Sequence, residues 1–416
     1  MADIKTVFVE LNPWWQKPGP IEFKDREIYG AIRKYVKLPQ IIALTGLRRV
    51  GKTTLMMKMA ADAIGEGADP RRVVYFSFDE FRNAEIRSLV KTYEEISEKS
   101  LDDGKCLLLL DEIQKLDGWE EQLKGFYDTH KDRVKIVISG SESLFLRKMA
   151  KETLAGRVFE FKVDPLCFKE FLAFHGAEWK PIGLHEKELV KWLGRFILTL
   201  GFPELAHIDD RDVIRKYIKE GLIEKIIYRD IPGLFRIRGL SILESILNII
   251  MDEPGQLIDI SSLAKEQKIS RQTASAYLSY LEQSFLVKKL YNYSRNRRKT
   301  ERKLKKYYPT VVSTGLLFKD DDHSRSKVFE WFIVNQLKSE FFWRDPYKNE
   351  VDIVKAEEQP LAIEIKYGKI DIRGLLTFMK KFGVSEGHIV SWDREDTIKS
   401  DGNTIHIIPA YKYLLR

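Results

Sequence analysis

The chain has 416 residues, of which 44% are hydrophobic and 32% are charged, and its formal net charge is +8. This length is enough for about three domains, and the apolar fraction excludes a chain that is disordered by composition. Two cysteines, Cys106 and Cys167, exclude a disulfide framework and a multi-cysteine zinc site. No apolar run approaches the roughly 18 residues of a membrane span, and the start has no secretory pattern. We therefore expect a soluble, cytoplasmic protein that makes no membrane contact.

Most of the positive charge lies in one stretch of the sequence. Residues 288–306 contain ten basic side chains and one acid, Glu301, so this segment carries +9 and the rest of the chain −1. Charge concentrated in this way predicts a site for a polyanion. The basic residues are Lys288, Lys289, Arg295, Arg297, Arg298, Lys299, Arg302, Lys303, Lys305 and Lys306.

The order of the predicted elements indicates an α/β protein with several parts. Residues 1–20 are rich in proline and tryptophan and are expected to form an extended arm. Residues 21–163 alternate short apolar runs with helical patterns, which predicts a doubly wound parallel sheet. Residues 164–240 are predicted to be mostly helical, residues 241–312 to hold short helices and a basic hairpin, and residues 313–416 to return to α/β. The predicted strands are 41–44, 73–78, 106–110, 134–139 and 158–163 in the first sheet and 341–344, 350–354, 362–366 and 388–392 in the last part.

A phosphate-binding motif lies between the first strand and a helix. Gly46-Leu47-Arg48-Arg49-Val50-Gly51-Lys52-Thr53 fits G-x-x-x-x-G-K-[ST]. Its glycines let backbone N–H groups turn toward phosphate oxygens, and the helix N-terminus adds a favourable dipole. Lys52 is expected to reach the β- and γ-phosphates of ATP, and Thr53 to bind Mg²⁺. The predicted nucleotide contacts are Gly46, Arg48, Arg49, Val50, Gly51, Lys52, Thr53, Thr54 and Ser139.

A pair of acids ends the third predicted strand. In Leu107-Leu108-Leu109-Leu110-Asp111-Glu112, a buried apolar run leads directly into two carboxylates. Asp111 is predicted to hold the hydrated Mg²⁺, and Glu112 to polarise the attacking water. A glutamate directly after the aspartate favours ATP hydrolysis over binding alone.

Two further segments are candidates for contact with the γ-phosphate. Ser139-Gly140-Ser141 ends the fourth strand, so that Ser139 or Ser141 is predicted to lie beside it. Arg157 precedes the fifth strand and is predicted to stabilise transition-state charge, either in its own subunit or across the interface of a homo-oligomer. The alternative is that Arg157 packs locally or pairs with an acid.

These motifs together resemble the archaeal ATPase branch of the AAA+ superfamily, near the STAND-type signalling ATPases. The resemblance implies an ATPase core at 21–163, a helical lid at 164–240 and a conformation that is switched by the nucleotide. It also implies that residues 23–26 border the adenine. Further segments that carry it are Asn12-Pro13-Trp14-Trp15, Asp25-Arg26-Glu27, Leu154-Ala155-Gly156-Arg157 and Gly201-Phe202-Pro203-Glu204.

Two short helices are predicted within residues 241–312, and Arg271, Gln272 and Ser275 fall on the second. This pattern resembles a winged helix-turn-helix, in which the second helix would carry those side chains into the major groove of DNA. The basic segment would form the wing, where lysines and arginines contact phosphates. The alternative is an intramolecular packing module with a solvated charged face. The residues predicted to contact DNA in the helix and wing are Arg271, Gln272, Arg295, Arg297 and Arg298.

A second carboxylate site is predicted at 313–416. Asp352 and Glu364 fall on two adjacent predicted strands, and Glu364 shares a face with Lys366 because side chains alternate along a strand. Two carboxylates would bind Mg²⁺ while Lys366 positions water, and Glu330 on the preceding helix is a further acid. This set resembles the PD-(D/E)xK nuclease fold. The alternatives are a binding platform that does not cleave and an ion-paired sheet edge.

Two functions follow from these motifs. The first is an Mg²⁺-dependent AAA+ ATPase that binds and hydrolyses ATP to control a DNA-binding module, with nuclease activity if the second site cleaves. The second is a STAND-type signalling switch whose C-terminal domains bind protein partners and do not cleave DNA.

Overall fold

The computed structural model describes residues 4–17, 19, 23–79, 84–140, 152–235, 237–400 and 402–416. The chain divides into two compact units, Met1–Pro165 and Leu166–Arg416. Within the described ranges, no helix is both long and apolar enough to cross a membrane.

The first unit contains a five-stranded parallel sheet in the order β2-β3-β4-β1-β5. This confirms the predicted parallel α/β fold. β3 is buried along its whole length because it lies inside a parallel sheet, which explains its unbroken apolar run. The strands are β1 (Ile41–Thr45), β2 (Val73–Ser77), β3 (Cys106–Asp111), β4 (Val134–Gly140) and β5 (Val158–Lys162), and the helices are Ile4–Leu11, Glu27–Arg33, Lys52–Gly65, Ile86–Ser97 and Trp119–His130.

The N-terminal segment is not the extended arm that its composition predicts. It forms the helix Ile4–Leu11 and a 3-10 turn at Pro13–Trp15. Phe8 is buried and its ring lies 5.1 Å from that of Phe76 in β2. The eight-residue helix is too short to show a clear helical period beside a proline-rich stretch, so burial against the sheet decides its conformation.

This segment also closes one edge of the sheet. The Asn12 amide donates to the carbonyl oxygen of Tyr75 at 2.9 Å and accepts from its N–H at 2.7 Å. The indole N–H groups of Trp14 and Trp15 both donate to the carbonyl oxygen of Val73, at 2.8 and 2.9 Å. An edge strand otherwise exposes unpaired backbone groups. The Asn12–Trp15 motif therefore takes the place of a neighbouring strand along β2.

The second unit is built on a nine-stranded mixed sheet in the order β13-β14-β12-β11-β10-β9-β7-β8-β6. β7 pairs in parallel with β9, so the sheet continues without a break across the boundary predicted at residue 312. The strands are β6 (Gln256–Ile258), β7 (Val287–Asn292), β8 (Lys305–Pro309), β9 (Phe341–Arg344), β10 (Glu350–Lys355), β11 (Leu361–Lys366), β12 (Glu386–Ser391), β13 (Asp396–Ser400) and β14 (Asn403–Pro409).

Helices fill the first part of the second unit and separate its strands. The basic hairpin is present as the antiparallel pair β7–β8, but its connection contains a short helix, Arg297–Arg302. The other helices are Phe168–Phe174, Glu186–Leu198, Arg211–Lys216, Ile231–Leu234, Leu240–Asp252, Ile260–Glu266, Arg271–Gln283, Thr314–Leu317, Asp322–Gln336, Arg373–Phe382 and Ala410–Leu414, with π-helical turns at Tyr217–Ile223 and Ile226–Asp230.

We expect Asn12→Ala to lower the free energy of unfolding by about 2–4 kcal/mol, because it leaves the buried backbone N–H and carbonyl of Tyr75 without partners. Chemical denaturation monitored by circular dichroism measures the change. The matched control is the exposed neighbour Gln16→Ala, which should stay within about 0.5 kcal/mol of the parent. Equal stability of the two variants would show that the edge contact contributes nothing.

Candidate functional site

The phosphate-binding loop joins β1 to the helix Lys52–Gly65. Gly46 and Gly51 have φ of 145° and 95°, and Arg49 has φ of 66°, so the loop uses backbone conformations that favour glycine. A Cβ on Gly46 would lie 2.2 Å from the carbonyl oxygen of Val163, which only glycine avoids. The strand–loop–helix context predicted for the motif is therefore present.

Lys52 and Thr53 follow the loop on the first turn of the helix. The buried Lys52 ammonium donates to the carbonyl oxygens of Gly46 and Leu47, both at 3.0 Å, and so lies across the loop. The Thr53 hydroxyl donates to Oδ2 of Asp111 at 2.7 Å. Of the other predicted contacts, Arg48, Arg49 and Val50 form the loop itself, and Thr54 is exposed on the helix. The two predicted ATPase motifs meet at Thr53 and Asp111.

Asp111 is surrounded by donors from several elements. Its Oδ2 also accepts from the Tyr75 hydroxyl at 2.8 Å, while Oδ1 accepts from the Ser139 hydroxyl and from the Glu112 N–H at 3.2 Å. Ser139 is fully buried, and its hydrogen bond places it beside Asp111. Ser141, the alternative sensor, lies outside the described residues. Carboxylate and hydroxyl oxygens suit Mg²⁺, which takes one or two protein ligands together with phosphate oxygens and water. Thr53 and Asp111 fit that role.

Glu112 follows β3 in a strained backbone conformation. Its φ of 53° lies in the left-handed region, where a residue with a side chain is uncommon and costs free energy. Its Oε2 accepts from the Gln114 amide at 2.6 Å. The strained turn sets the carboxylate immediately after the end of β3, at the same edge of the sheet as the phosphate loop.

Two residues near the loop have structural roles that their motifs alone did not predict. The Arg26 guanidinium donates to the carbonyl oxygens of Val50 and Asp164, both at 2.7 Å, and ties the loop to the chain after β5. The Tyr75 hydroxyl supports Asp111 from β2, and burial is the main cause that raises its pKa, followed by the charge of Asp111, so it remains a donor. The signal for Arg26 was the Asp25-Arg26-Glu27 segment, whereas Tyr75 had none.

Arg157 does not join this site in its own chain. Its guanidinium makes two hydrogen bonds to the Asp128 carboxylate, at 2.8 and 3.1 Å. In the register of β1 and β5, Val158 lies beside Ile41 and Lys162 beside Thr45, so Arg157 is at the opposite end of the strands from the loop. Four residues of strand separate the two ends by about 13 Å. Pairing with an acid is thus the arrangement found, and a role across a subunit interface stays a prediction.

The second predicted carboxylate site assembles in the second unit. Lys366 lies 2.7 Å from Oε1 of Glu364, and Asp352 Oδ2 accepts from the Ile365 N–H at 2.8 Å. Glu330 Oε1 accepts from the Tyr308 hydroxyl at 2.7 Å. The four predicted side chains, Glu330, Asp352, Glu364 and Lys366, therefore belong to one cluster.

The cluster also contains a cation that the motif did not predict. Lys306 of β8 lies 2.5 Å from Glu350, 3.6 Å from Glu330 and 4.0 Å from Asp352, and its side chain is only 6% exposed. Burial disfavours its charge, but Tyr308 and the carboxylates outweigh that effect and raise the pKa of Lys306. Lys306 therefore remains an ammonium ion. Lys306 belongs to the basic segment, yet its side chain is buried.

Glu364 lacks a full set of partners. Burial, and then the charge of Asp352, raise the pKa of Glu364 to about 8. Its Oε2 atom is buried and accepts no hydrogen bond. Across the described residues, no three or more His, Cys, Asp or Glu side chains are arranged to hold a metal ion. With Lys306 seated among the acids, the residues do not fit a divalent cation.

The residues predicted to contact DNA lie on exposed surface. Arg271, Gln272 and Ser275 are exposed on the helix Arg271–Gln283, which lines an open groove of about 510 Å³. Arg295 is exposed and donates to the Phe382 carbonyl at 2.9 Å, and Arg297 and Arg298 are exposed at the start of the next helix. The basic segment does not act as one surface. Three of its lysines contact residues outside the segment: Lys288 with Val334, Lys289 with Glu282, and Lys306 with the carboxylates.

Comparisons with known proteins place an AAA domain in the first part of the chain. A family model described as an AAA domain matches residues 38–172, and one described as a domain of unknown function matches residues 191–318. The first match supports an AAA+ ATPase domain, consistent with the parallel sheet and the phosphate loop. The winged-helix and PD-(D/E)xK assignments stay predictions.

The curated relatives are uncharacterized. One from Methanocaldococcus jannaschii is 26% identical over 414 residues, covering 90% of this chain and 85% of that protein. A second from the same organism is 30% identical over 267 residues, and this chain spans 57% of its length. One from Haemophilus influenzae is 28% identical over 305 residues, covering 71% of this chain and 70% of that protein. Because relatives are archaeal and bacterial, the archaeal restriction is not supported.

Solved structures show weak likeness. AMPPCP-bound DnaA from Aquifex aeolicus is 16% identical with a TM-score of 0.32, covering 65% of this chain and 92% of that one. Cdc6p from Pyrobaculum aerophilum is 14% identical with a TM-score of 0.33, covering 76% of this chain and 97% of that one.

We expect Tyr75→Phe to lower the free energy of unfolding by about 1.5–3 kcal/mol, because its hydroxyl donates to a buried charged acceptor, Asp111. The matched control is Tyr93→Phe, whose hydroxyl donates to the neutral carbonyl of Arg71 and should cost about 0.5–1.5 kcal/mol. Denaturant unfolding measures both variants. A loss for Tyr75→Phe no larger than that for Tyr93→Phe would contradict the support of Asp111 by Tyr75.

Proposed function

We propose that this protein is an Mg²⁺-dependent AAA+ ATPase that uses ATP hydrolysis to control an attached DNA-binding module. The observation that supports it most directly is the 2.7 Å hydrogen bond from Thr53 to Asp111, which joins the two ATPase motifs at the mouth of the phosphate loop. The match of residues 38–172 to an AAA domain points the same way.

In the proposed reaction, each group of the site has one task. The loop N–H groups cradle the phosphates, and Lys52 exchanges its carbonyl partners for phosphate oxygens. Thr53 and Asp111 would hold Mg²⁺, and the bound ion would supply positive charge opposite the phosphates. Glu112 orients and polarises the water that attacks the γ-phosphorus, while Ser139 keeps Asp111 in place. Arg157 would contribute only from a neighbouring subunit, because in its own chain it pairs with Asp128.

The ATPase proposal is tested by separating binding from turnover. Lys52→Ala should lose nucleotide affinity, whereas Glu112→Gln should retain it and lose turnover by about 10²–10⁴-fold, the range for removal of a general base. Isothermal calorimetry with an ATP analogue and a phosphate-release assay measure the two effects. Glu98→Gln is a matched control, because Glu98 is an exposed glutamate with φ of 55° at the end of another helix. Normal turnover in Glu112→Gln would show that another group activates the water.

The proposed DNA-binding module is a winged helix formed by residues 241–312. The helix Arg271–Gln283 begins at a Ser270 cap, buries Ala274, Tyr277, Leu278 and Leu281, and leaves Arg271 and Gln272 exposed on the groove. That division of faces suits a helix that packs on one side and meets a major groove on the other. The exposed Arg297 and Arg298 would supply further phosphate contacts.

Duplex DNA binding should weaken steeply with salt. Each phosphate contact releases counterions, so Arg297→Ala with Arg298→Ala should reduce the slope of log K against log salt by about 2. Fluorescence anisotropy between about 50 and 200 mM salt, a range over which phosphate contacts lower the affinity strongly, gives the slope. Two exposed helical lysines, Lys187→Ala with Lys191→Ala, are the control and should leave it unchanged. Affinity that does not fall with salt would contradict the module.

The signalling switch is the second candidate. It is favoured by the position of Lys306, which fills the carboxylate cluster and suits a nuclease-like domain that does not cleave. ATP-dependent oligomerisation without DNA affinity would support this function. Metal-dependent cleavage that is lost in Asp352→Ala and in Glu364→Ala would exclude it and establish a nuclease.

A further inference from the structure

Lys306 occupies the carboxylate cluster in the way a metal ion would. Its ammonium lies within 4.0 Å of three carboxylates that come from β10 and from the helix Asp322–Gln336, and the closest, Glu350, is at 2.5 Å. The side chain is buried, and the lysine is supplied by β8, outside the elements that carry the predicted motif. The acids are therefore neutralised by a cation of the chain itself.

A divalent cation and this ammonium exclude each other. Mg²⁺ lies about 2.0–2.1 Å from its oxygen ligands and requires near-octahedral geometry. The Lys306 ammonium hydrogen-bonds Glu350 and lies 4.0 Å from Asp352, the predicted metal ligand, where its charge repels a second cation. Either cation can compensate the buried charge of Asp352, and each disfavours the other.

Glu364 provides the second observation. Lys366 binds its Oε1, whereas the buried Oε2 accepts no hydrogen bond. A buried carboxylate oxygen without a partner costs free energy. The cluster thus keeps one buried carboxyl oxygen that makes no hydrogen bond within the described residues.

We propose that Lys306 is the built-in cation of this site, and that a divalent metal ion binds there only when the Lys306 side chain is withdrawn or removed. This rests on the proposed nuclease-like arrangement of Asp352 and Glu364, but not on DNA cleavage. It also rests on no property of the ATP site. Metal loading and the seated position of Lys306 are competing states of the same acids.

The test measures Mn²⁺ binding to the full chain by calorimetry without nucleotide. Lys306→Met removes the charge and keeps the length of the side chain, so we expect at least about tenfold tighter Mn²⁺ binding than in the parent, from the loss of one positive charge near the acids. The gain should vanish in Lys306→Met combined with Asp352→Asn. Lys289→Met is the control, because Lys289 lies on the neighbouring strand β7 and pairs with Glu282 of the helix Arg271–Gln283. This substitution should leave Mn²⁺ affinity unchanged.

Thermal unfolding gives an independent readout. Lys306→Met leaves buried acids without their cation, so its Tm should fall, and Mn²⁺ should restore part of the loss. The Tm of the parent should not respond to Mn²⁺ through Asp352. If Lys306→Met folds and gains no Mn²⁺ affinity, the proposal is wrong.

The parent protein also provides a test that does not depend on the folding of the variant. Mn²⁺ binding by the parent that is tight and lost in Asp352→Asn would overturn the proposal, since Lys306 would then not exclude the metal. DNA cleavage distinguishes the built-in cation from the nuclease function. A gain of Mn²⁺ binding in Lys306→Met without cleavage supports the built-in cation and argues against the nuclease function. Asp352-dependent cleavage by the parent would establish the nuclease function and overturn the built-in cation.

Discussion

Asp111 lies at the buried end of β3, and its two carboxylate oxygens accept hydrogen bonds from four groups. An ionised carboxylate removed from water is stable only where donors or cations replace its hydration. Here the side-chain donors come from three different elements: Thr53 from the helix after the loop, Tyr75 from β2 and Ser139 from β4. The position of the predicted Mg²⁺ ligand is therefore a property of the assembled sheet and not of the acidic motif alone.

The same requirement explains why the N-terminal segment belongs to this unit. Asn12 binds the backbone of Tyr75 on both its N–H and its carbonyl, and the side chain of Tyr75 binds Asp111. β2 is an edge strand, and Asn12, together with Trp14 and Trp15, supplies on its outer side the hydrogen bonds that a neighbouring strand would make. The cluster in the second unit solves the same problem differently, because its acids are compensated mainly by the two lysines, Lys306 and Lys366.

Local motifs made the first sheet, the phosphate loop and the acids of β3 predictable, because a continuous apolar run or a fixed spacing carries that information within a few residues. The helix Ile4–Leu11 was missed because a short helix beside proline and tryptophan gives no clear period. Tyr75 and Lys306 were missed for another reason. Tyr75 lies 36 residues from Asp111, and their contact follows from the pairing of β2 with β3. Lys306 looks like any other lysine of a basic run until the sheet places β8 against the acids.

The sheet also limits how Lys306 can leave the cluster. Its backbone is paired on both sides, with Leu290 of β7 and Leu257 of β6, so a shift of β8 would break two ladders. The lysine side chain has a flexible four-carbon stem and can turn without moving the strand. Withdrawal is then a change of side-chain conformation within an intact sheet.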